Sequence, residues 1–123
     1  MIETYTLLGQ CRSGKNAMQI TRWGGHYAKP EFKKWRADWQ RQLMEQRGLK
    51  KPIDTITTAI ILYTPGDLRR RDAPGIQDAL WHLLEYCKVI KDDALIKTVL
   101  YEQQPLDRKR PRIYLSLKPE NSP

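Results

Sequence analysis

Cysteines are few in this sequence, and their spacing indicates neither a metal site nor a disulfide framework. The two that occur, Cys11 and Cys87, are far apart, and neither belongs to a CxxC pair or to a cysteine–histidine pattern with zinc-ligand spacing. Disulfide frameworks belong to oxidising compartments. We therefore expect a cytoplasmic protein in which Cys87 packs in the core.

Long apolar runs are also missing. Residues 1–5 lack the basic start and apolar stretch of a signal peptide, and no apolar run approaches the roughly 20 residues that cross a bilayer. No membrane partner is therefore expected. A chain of 123 residues has room for one hydrophobic core, which predicts a single domain over 1–119 and a flexible tail over 120–123.

Acidic side chains are scarcer than basic ones. Asp and Glu number 14 against 22 Lys and Arg, and the formal net charge is +8. A positive field of this size attracts polyanions. Nucleic acid is therefore the first partner to consider, and an acidic protein is the alternative.

The pattern of apolar residues predicts the element order β-α-β-α-β-β. Strands are predicted over 2–8, 53–63, 94–103 and 112–118, helices over 30–47 and 74–86, and a long basic loop over 9–29. The uninterrupted apolar run 59–62 indicates a strand buried on both faces, at the centre of the sheet. The predicted fold class is α+β, in α/β layers, with two helices packed on a mixed or antiparallel sheet.

The first predicted helix carries an apolar stripe with two tryptophans. Phe32, Trp35, Trp39 and Leu43 recur at intervals of three and four residues. Aromatic rings can stack on unpaired bases, but the helical spacing favours a place in the core. Trp23 differs, because it lies beside glycines in the basic loop, where it either packs or inserts into a DNA junction.

Three arginines and two aspartates precede the second predicted helix, in the run 67–72. Arginines bind phosphates bidentately and a helix N-terminus adds amide donors, so this run predicts an anion site. In the alternative, the arginines pair with Asp67 and Asp72 on a solvated surface. A second basic run, 108–110, either reaches DNA or keeps a hairpin tip soluble.

A pair of carboxylates, Asp92 and Asp93, follows the same helix. Nucleases that use divalent metals hold Mg²⁺ with clustered carboxylates. We expect the helix flanked by Asp72 and the Asp92-Asp93 pair to bring these groups together. The alternative is that each acid complements a helix end.

The segment from Arg69 to Asp93 resembles the active site of the RusA family of Holliday-junction resolvases. That family has a basic run followed by Asp-x-Asp-Asn-x-x-Lys at the start of a helix, and an Asp-Asp pair after it. Here Arg69-Arg70-Arg71-Asp72 matches the basic run and the first aspartate, and Asp92-Asp93 matches the pair without a gap. Lys15-Asn16 and the segment 23–27 resemble the family's N-terminal loop.

The resemblance implies a RusA-like fold and an intertwined homodimer that binds four-way DNA junctions and nicks them with Mg²⁺ or Mn²⁺ in recombination and repair. It makes Asp72, Asp92 and Asp93 the catalytic, metal-holding carboxylates. It also implies a set of residues that contact DNA: Arg69, Arg70, Arg71, Lys91, Lys15, Asn16, Arg22 and Trp23.

Four positions depart from the family's motif. Pro74 replaces the second aspartate, Gly75 the asparagine, Asp78 the lysine and His82 a later helix aspartate. These changes should impair cleavage unless Asp78 supplies a replacement ligand, since Mg²⁺ prefers oxygen to the nitrogen of His82. Two hypotheses follow: a Mg²⁺-dependent nuclease for branched DNA, and a homologue that binds junctions without cutting. A basic module that binds RNA or an acidic protein is the third.

Overall fold

A computed structural model describes residues 2–12, 18–20 and 26–120 of the chain. Within these residues the chain forms six strands and two α-helices: β1 (Glu3–Leu8), β2 (Met18–Ile20), β3 (His26–Ala28), α1 (Pro30–Arg47), β4 (Thr57–Thr64), α2 (Ala73–Tyr86), β5 (Ile96–Gln103) and β6 (Arg112–Pro119). A short 3-10 helix, Asp93–Leu95, precedes β5. Neither α-helix in this described part combines the length and apolarity that a bilayer span requires.

The main sheet is mixed and has the strand order β1-β6-β4-β5. β6 runs antiparallel to both of its neighbours, β1 and β4. β4 and β5 are parallel, so α2 is the crossover that joins them, as parallel neighbours require. The predicted α+β class, with two helices and a mixed sheet, is confirmed.

The core lies between one face of this sheet and the two helices. Alternate residues of β4, such as Ala59 and Ile61, are fully buried, whereas Ile60 and Leu62 between them are half-buried. β4 lies inside the sheet, as predicted, but the prediction that it is buried on both faces is wrong. Its apolar run is covered on one side, because the helix residues of the core pack against that side. The buried helix residues are Trp35, Trp39, Leu43, Ile76, Ala79, Leu80, Leu83 and Leu84.

The free edge of β1 is closed by two glutamines of α1. Gln42 Nε2 donates to the carbonyl of Leu8 at 2.8 Å, and its Oε1 accepts from the Leu8 N–H at 2.8 Å. Gln46, one helical turn later, forms the same pair of bonds with Thr6, at 2.8 and 3.0 Å. These amides occupy the backbone groups that a neighbouring strand would otherwise pair with. Helix α1 therefore takes the place of a strand along this edge.

The helix ends agree with the sequence. Pro30 opens α1, and Gly48 caps it with a positive φ of 72°, which favours glycine. The predicted loop over 9–29 was incomplete, because it contains the hairpin β2–β3, in which Met18 pairs with Ala28. Strands of three residues are too short to show an alternating pattern.

Candidate nucleic-acid interface

Several loops meet at one edge of the main sheet because of the strand directions. β4 and β5 are parallel and end together, and β6 starts there, since Arg112 pairs with Thr64. β1 ends at the same place, where Leu8 also pairs with Arg112. The loops 9–12, 65–72 and 104–111 therefore lie side by side. We call these three segments the basic edge, and name 65–72 its first basic loop and 104–111 its second.

Backbone contacts hold the three segments of the basic edge together. The Gly9 N–H donates to the carbonyl of Pro111 at 2.9 Å, and the Asp107 N–H to the carbonyl of Pro65 at 2.9 Å. The Gly66 N–H donates to Gln10 Oε1 at 2.6 Å. Gly66 is required here, since a Cβ at this position would lie 2.9 Å from the Pro111 ring. The arrangement is a close-packed set of loops rather than three independent ones.

Asp67 organises the first basic loop. Its Oδ1 accepts from the Arg69 N–H at 3.0 Å and from the Arg71 guanidinium at 2.7 Å, and its Oδ2 accepts a second Arg71 bond at 3.2 Å. The hydrogen bonds from Arg71 lower the pKa of Asp67 to about 2. Only 13% of the Arg71 side chain is exposed. Arg71 therefore serves the loop's structure, as the alternative for this run predicted, while Arg69 and Arg70 are exposed.

Asp107 organises the second basic loop in a similar way. Its Oδ1 accepts from the N–H groups of Lys109 and Arg110, each at 3.1 Å. Its Oδ2 accepts from the Arg112 guanidinium at 3.1 Å, and this bond holds the pKa of Asp107 below its usual range. The side chains of Arg108, Lys109 and Arg110 are exposed. The loop therefore presents three cations beside the two of the first loop.

Partly buried polar side chains lie between the first basic loop and the core. Gln10 Nε2 donates to the Tyr63 hydroxyl at 2.6 Å, and the Arg71 guanidinium lies 3.5 Å from the same oxygen. Cys11 is fully buried beside these side chains, and burial raises the pKa of its thiol. Burial also raises the pKa of Tyr101 to about 12. Gln10, Tyr63, Cys11 and Tyr101 are neutral at physiological pH, so the only charge among these groups is that of Arg71, which is paired with Asp67.

The carboxylates predicted to form one cluster lie at opposite ends of α2. Asp72 caps the N-terminus of the helix, where its Oδ1 accepts from the Gly75 N–H at 3.2 Å. The Asp93 carboxyl group lies near Glu85, in the last turn of α2, and raises the pKa of Glu85. A helix rises about 1.5 Å per residue, so about 20 Å separates Asp72 from the Glu85 turn. The expectation that α2 brings these groups together is not met within one chain.

Chain direction explains this separation. α2 carries the chain from the edge where β4 ends to the edge where β5 begins, since the two strands are parallel. Asp92 and Asp93 come before β5, which is the segment that returns the chain to the basic edge. Lys91 lies at the same far edge, where its N–H donates to the carbonyl of Ile53. Lys91 therefore lies away from Arg69 and Arg70, although the resemblance implied that all three contact DNA.

Within one chain, the side chains of the described residues do not form a site that suits magnesium. Among the described residues there is no group of three histidine, cysteine or acidic side chains that could hold a metal ion. Asp92 Oδ1 accepts from the Ala94 N–H at 2.9 Å and so caps the 3-10 helix. Asp78 lies in the middle of α2, 3.4 Å from His82 Nε2. The predicted carboxylates therefore lie in three separate places and do not form one cluster: Asp72, Asp78 and the Asp92-Asp93 pair.

The sequence also predicted a core position for the tryptophans of α1 and for Cys87, and DNA contacts in the loop 9–29. Trp35 and Trp39 are buried, and Trp39 Nε1 donates to the carbonyl of Leu8 at 3.0 Å, which confirms their place in the core. Cys87 is half-buried against the core. Four residues predicted to contact DNA lie outside the described residues: Lys15, Asn16, Arg22 and Trp23.

The role of Asp107 and the joining of the two basic loops were missed from the sequence. A signal was present, because both loops have an aspartate, two or three basic residues, and then the arginine that pairs with the aspartate. The spacing is four residues from Asp67 to Arg71 and five from Asp107 to Arg112. That the loops are neighbours follows from the sheet order, which the local pattern does not contain.

No protein-family model matches the chain, and no curated protein matches it significantly.

Proposed function

We propose that this chain binds branched DNA along its basic edge and that a single chain does not form a metal-dependent cleavage centre. The observation that carries the proposal is the convergence of the two basic loops at one edge of the sheet. Arg69, Arg70 and the run 108–110 are exposed there and lie on a common, hydrogen-bonded base. The Asp72 and Asp92-Asp93 carboxylates, in contrast, are on opposite sides of the molecule.

Electrostatics favours a phosphate backbone as the ligand of this edge. Guanidinium groups bind phosphate oxygens bidentately, and each contact releases condensed counterions from the nucleic acid. The acids in the loops, Asp67 and Asp107, are engaged with Arg71 and Arg112. The resemblance of Arg69-Arg70-Arg71-Asp72 to the RusA family supports branched DNA as the form that is bound.

A homodimer, which the same resemblance implies, has support in the uncovered face of the sheet. Ile60 and Leu62 on β4 are half-buried, and Leu100 and Tyr114 beside them are 56% and 38% exposed. Two copies of a protein with a charge of +8 repel one another, so they should meet through a surface with little charge. Substituting Leu100→Glu should shift the mass measured by light scattering from dimer to monomer. A parent protein that is monomeric at all concentrations would contradict the dimer.

Cleavage by a pair of chains is the second candidate function. The separation of about 20 Å along α2 rules out a shared ion within one chain, so cleavage would require the Asp92-Asp93 pair of a second chain to meet Asp72 of the first. Mixing Asp72→Asn chains with Asp93→Asn chains tests this directly. Each variant alone should be inactive, and the mixture should recover nicking if the site is built from two chains.

The main experiment incubates the protein with a labelled four-way junction and Mg²⁺ or Mn²⁺, beside a linear duplex, a single strand and an RNA of matched length. We expect a retarded complex with the junction, at lower protein concentration than with the duplex, and no nicks. Paired nicks would overturn binding without cleavage and would favour a site built from two chains. Equal affinities and equal salt dependence for all four ligands would indicate binding by charge alone and would overturn specificity for branched DNA.

A further inference from the structure

We propose that the second basic loop is a second phosphate-binding site beside the first, and that Asp67 and Asp107 are positioning residues that increase DNA affinity despite their negative charge. This inference rests on the proposed function and deepens it. It assigns Arg108, Lys109 and Arg110 a phosphate site of their own, beside that of Arg69 and Arg70.

The two loops are built on the same plan. In each, an aspartate accepts the N–H of the residue two positions later, Arg69 or Lys109, at 3.0 or 3.1 Å. The same carboxylate binds an arginine guanidinium four or five positions later. The backbone is thus folded around the carboxylate. The basic residues between each aspartate and the arginine that it binds are exposed to solvent. Each aspartate determines where its loop presents cations.

The loops are also fixed relative to one another. The bond from the Asp107 N–H to the carbonyl of Pro65 joins the start of one loop to the other, at 2.9 Å. Pro111, at the end of the second loop, accepts from Gly9 and lies against Gly66. Ordered cations lose less conformational entropy on binding than cations on a flexible loop. The pair of loops is therefore suited to two neighbouring phosphates rather than to a diffuse negative charge.

Two physical models predict opposite results for removal of an aspartate. If binding depends on charge alone, Asp107→Ala removes a negative charge from the interface and strengthens binding. If the carboxylate positions the loop, the same change releases the Lys109 and Arg110 backbone and the Arg112 side chain, and binding weakens. The lowered pKa of Asp107 means that its charge is present throughout the neutral pH range in either model.

The test measures junction affinity by fluorescence anisotropy at several salt concentrations. The Arg108→Ala/Lys109→Ala double variant should lose about tenfold in affinity, and the slope of log K against log salt should become shallower by about 2. The matched control is Lys50→Ala/Lys51→Ala, which removes the same charge from an exposed segment beyond the C-terminus of α1, at the far edge. The control should keep the parent's slope.

The positioning role is tested with Asp107→Ala and Asp107→Asn. We expect about threefold or more weaker binding by Asp107→Ala and a smaller loss for Asp107→Asn, whose amide oxygen can still accept the backbone N–H groups. Circular dichroism melting shows that each variant is folded. Tighter binding by Asp107→Ala, or equal losses from the Arg108/Lys109 and Lys50/Lys51 pairs, would overturn the inference while junction binding by the parent stands. If the parent binds no DNA, both proposals fail.

Discussion

Single residues in this protein act through the partners that the fold gives them. Arg71 resembles its two neighbours in the sequence, yet it is paired with Asp67, while Arg69 and Arg70 are exposed. Asp72 and Asp92 resemble metal ligands and here cap helices. The number of acidic and basic groups was readable from the sequence, but their roles depend on which atoms lie within hydrogen-bonding distance.

Glu85 provides a residue-scale prediction about pH. Its hydrogen bond with Asp93, and the negative charges of Asp93 and Asp92, raise its pKa above the usual value of 4.5. The folded state therefore holds this proton more tightly than the unfolded state, so Glu85 costs stability as pH rises above 4.5 through the raised pKa. Substituting Glu85→Gln should raise Tm by about 1–2 °C at pH 7, and this gain should vanish below pH 4.5.

The control for Glu85 is Glu45→Gln. Glu45 pairs with Arg41 at 3.1 Å, so neutralising it should lower Tm slightly or leave it unchanged at pH 7. Thermal melts of both variants and the parent at pH 4 and pH 7 give the comparison. An equal response of the two variants at pH 7 would show that repulsion at Glu85 has no effect on stability.

At the scale of elements, α1 has two functions that its apolar stripe alone does not reveal. One face buries Trp35, Trp39 and Leu43. Gln42 and Gln46 bind the exposed backbone of β1. Helix periodicity predicted the first function, because burial repeats every three or four residues. The second needs the edge of β1 to lie beside the helix, which is a matter of tertiary packing.

The double variant Gln42→Ala/Gln46→Ala tests the closure of the β1 edge. Four hydrogen bonds are lost at a solvent-accessible edge, where water replaces part of their free energy. The free energy of unfolding in urea should fall by about 1–2 kcal/mol. The open edge should also increase light scattering at high protein concentration. Gln40→Ala, in the groove between α1 and α2, is the control and should show no increase in scattering.

At the scale of the whole molecule, charge is distributed by the direction of the strands. The exposed cations of the two basic loops gather where β4 and β5 end and β6 begins. The acidic group formed by Glu85, Asp92 and Asp93 lies at the other end of α2. The two basic loops therefore offer a polyanion one compact set of cations within a protein of net charge +8.

This distribution predicts the salt dependence of DNA binding by the complete protein. Five exposed side chains of the two loops, Arg69, Arg70, Arg108, Lys109 and Arg110, are available to phosphates. If each neutralises one phosphate of duplex arms, log K should fall against log salt with a slope of about −4 to −5. Titrations between about 50 and 300 mM salt measure it. A slope near −1 would show that the basic edge is not the interface.

The sequence by itself determined the two α-helices, the four strands of the main sheet and the sign of the charge, but not the short hairpin β2–β3. Periodic apolar residues, Pro30 and Gly48 act through local geometry, so the predicted boundaries of α1 agree with those of the structure. Only the tertiary structure decided that β5 runs parallel to β4, that Asp92 and Asp93 lie far from Asp72, and that the loops 65–72 and 104–111 are neighbours. Strand order and direction depend on pairing between residues distant in the chain, and no local pattern of side chains encodes such pairing.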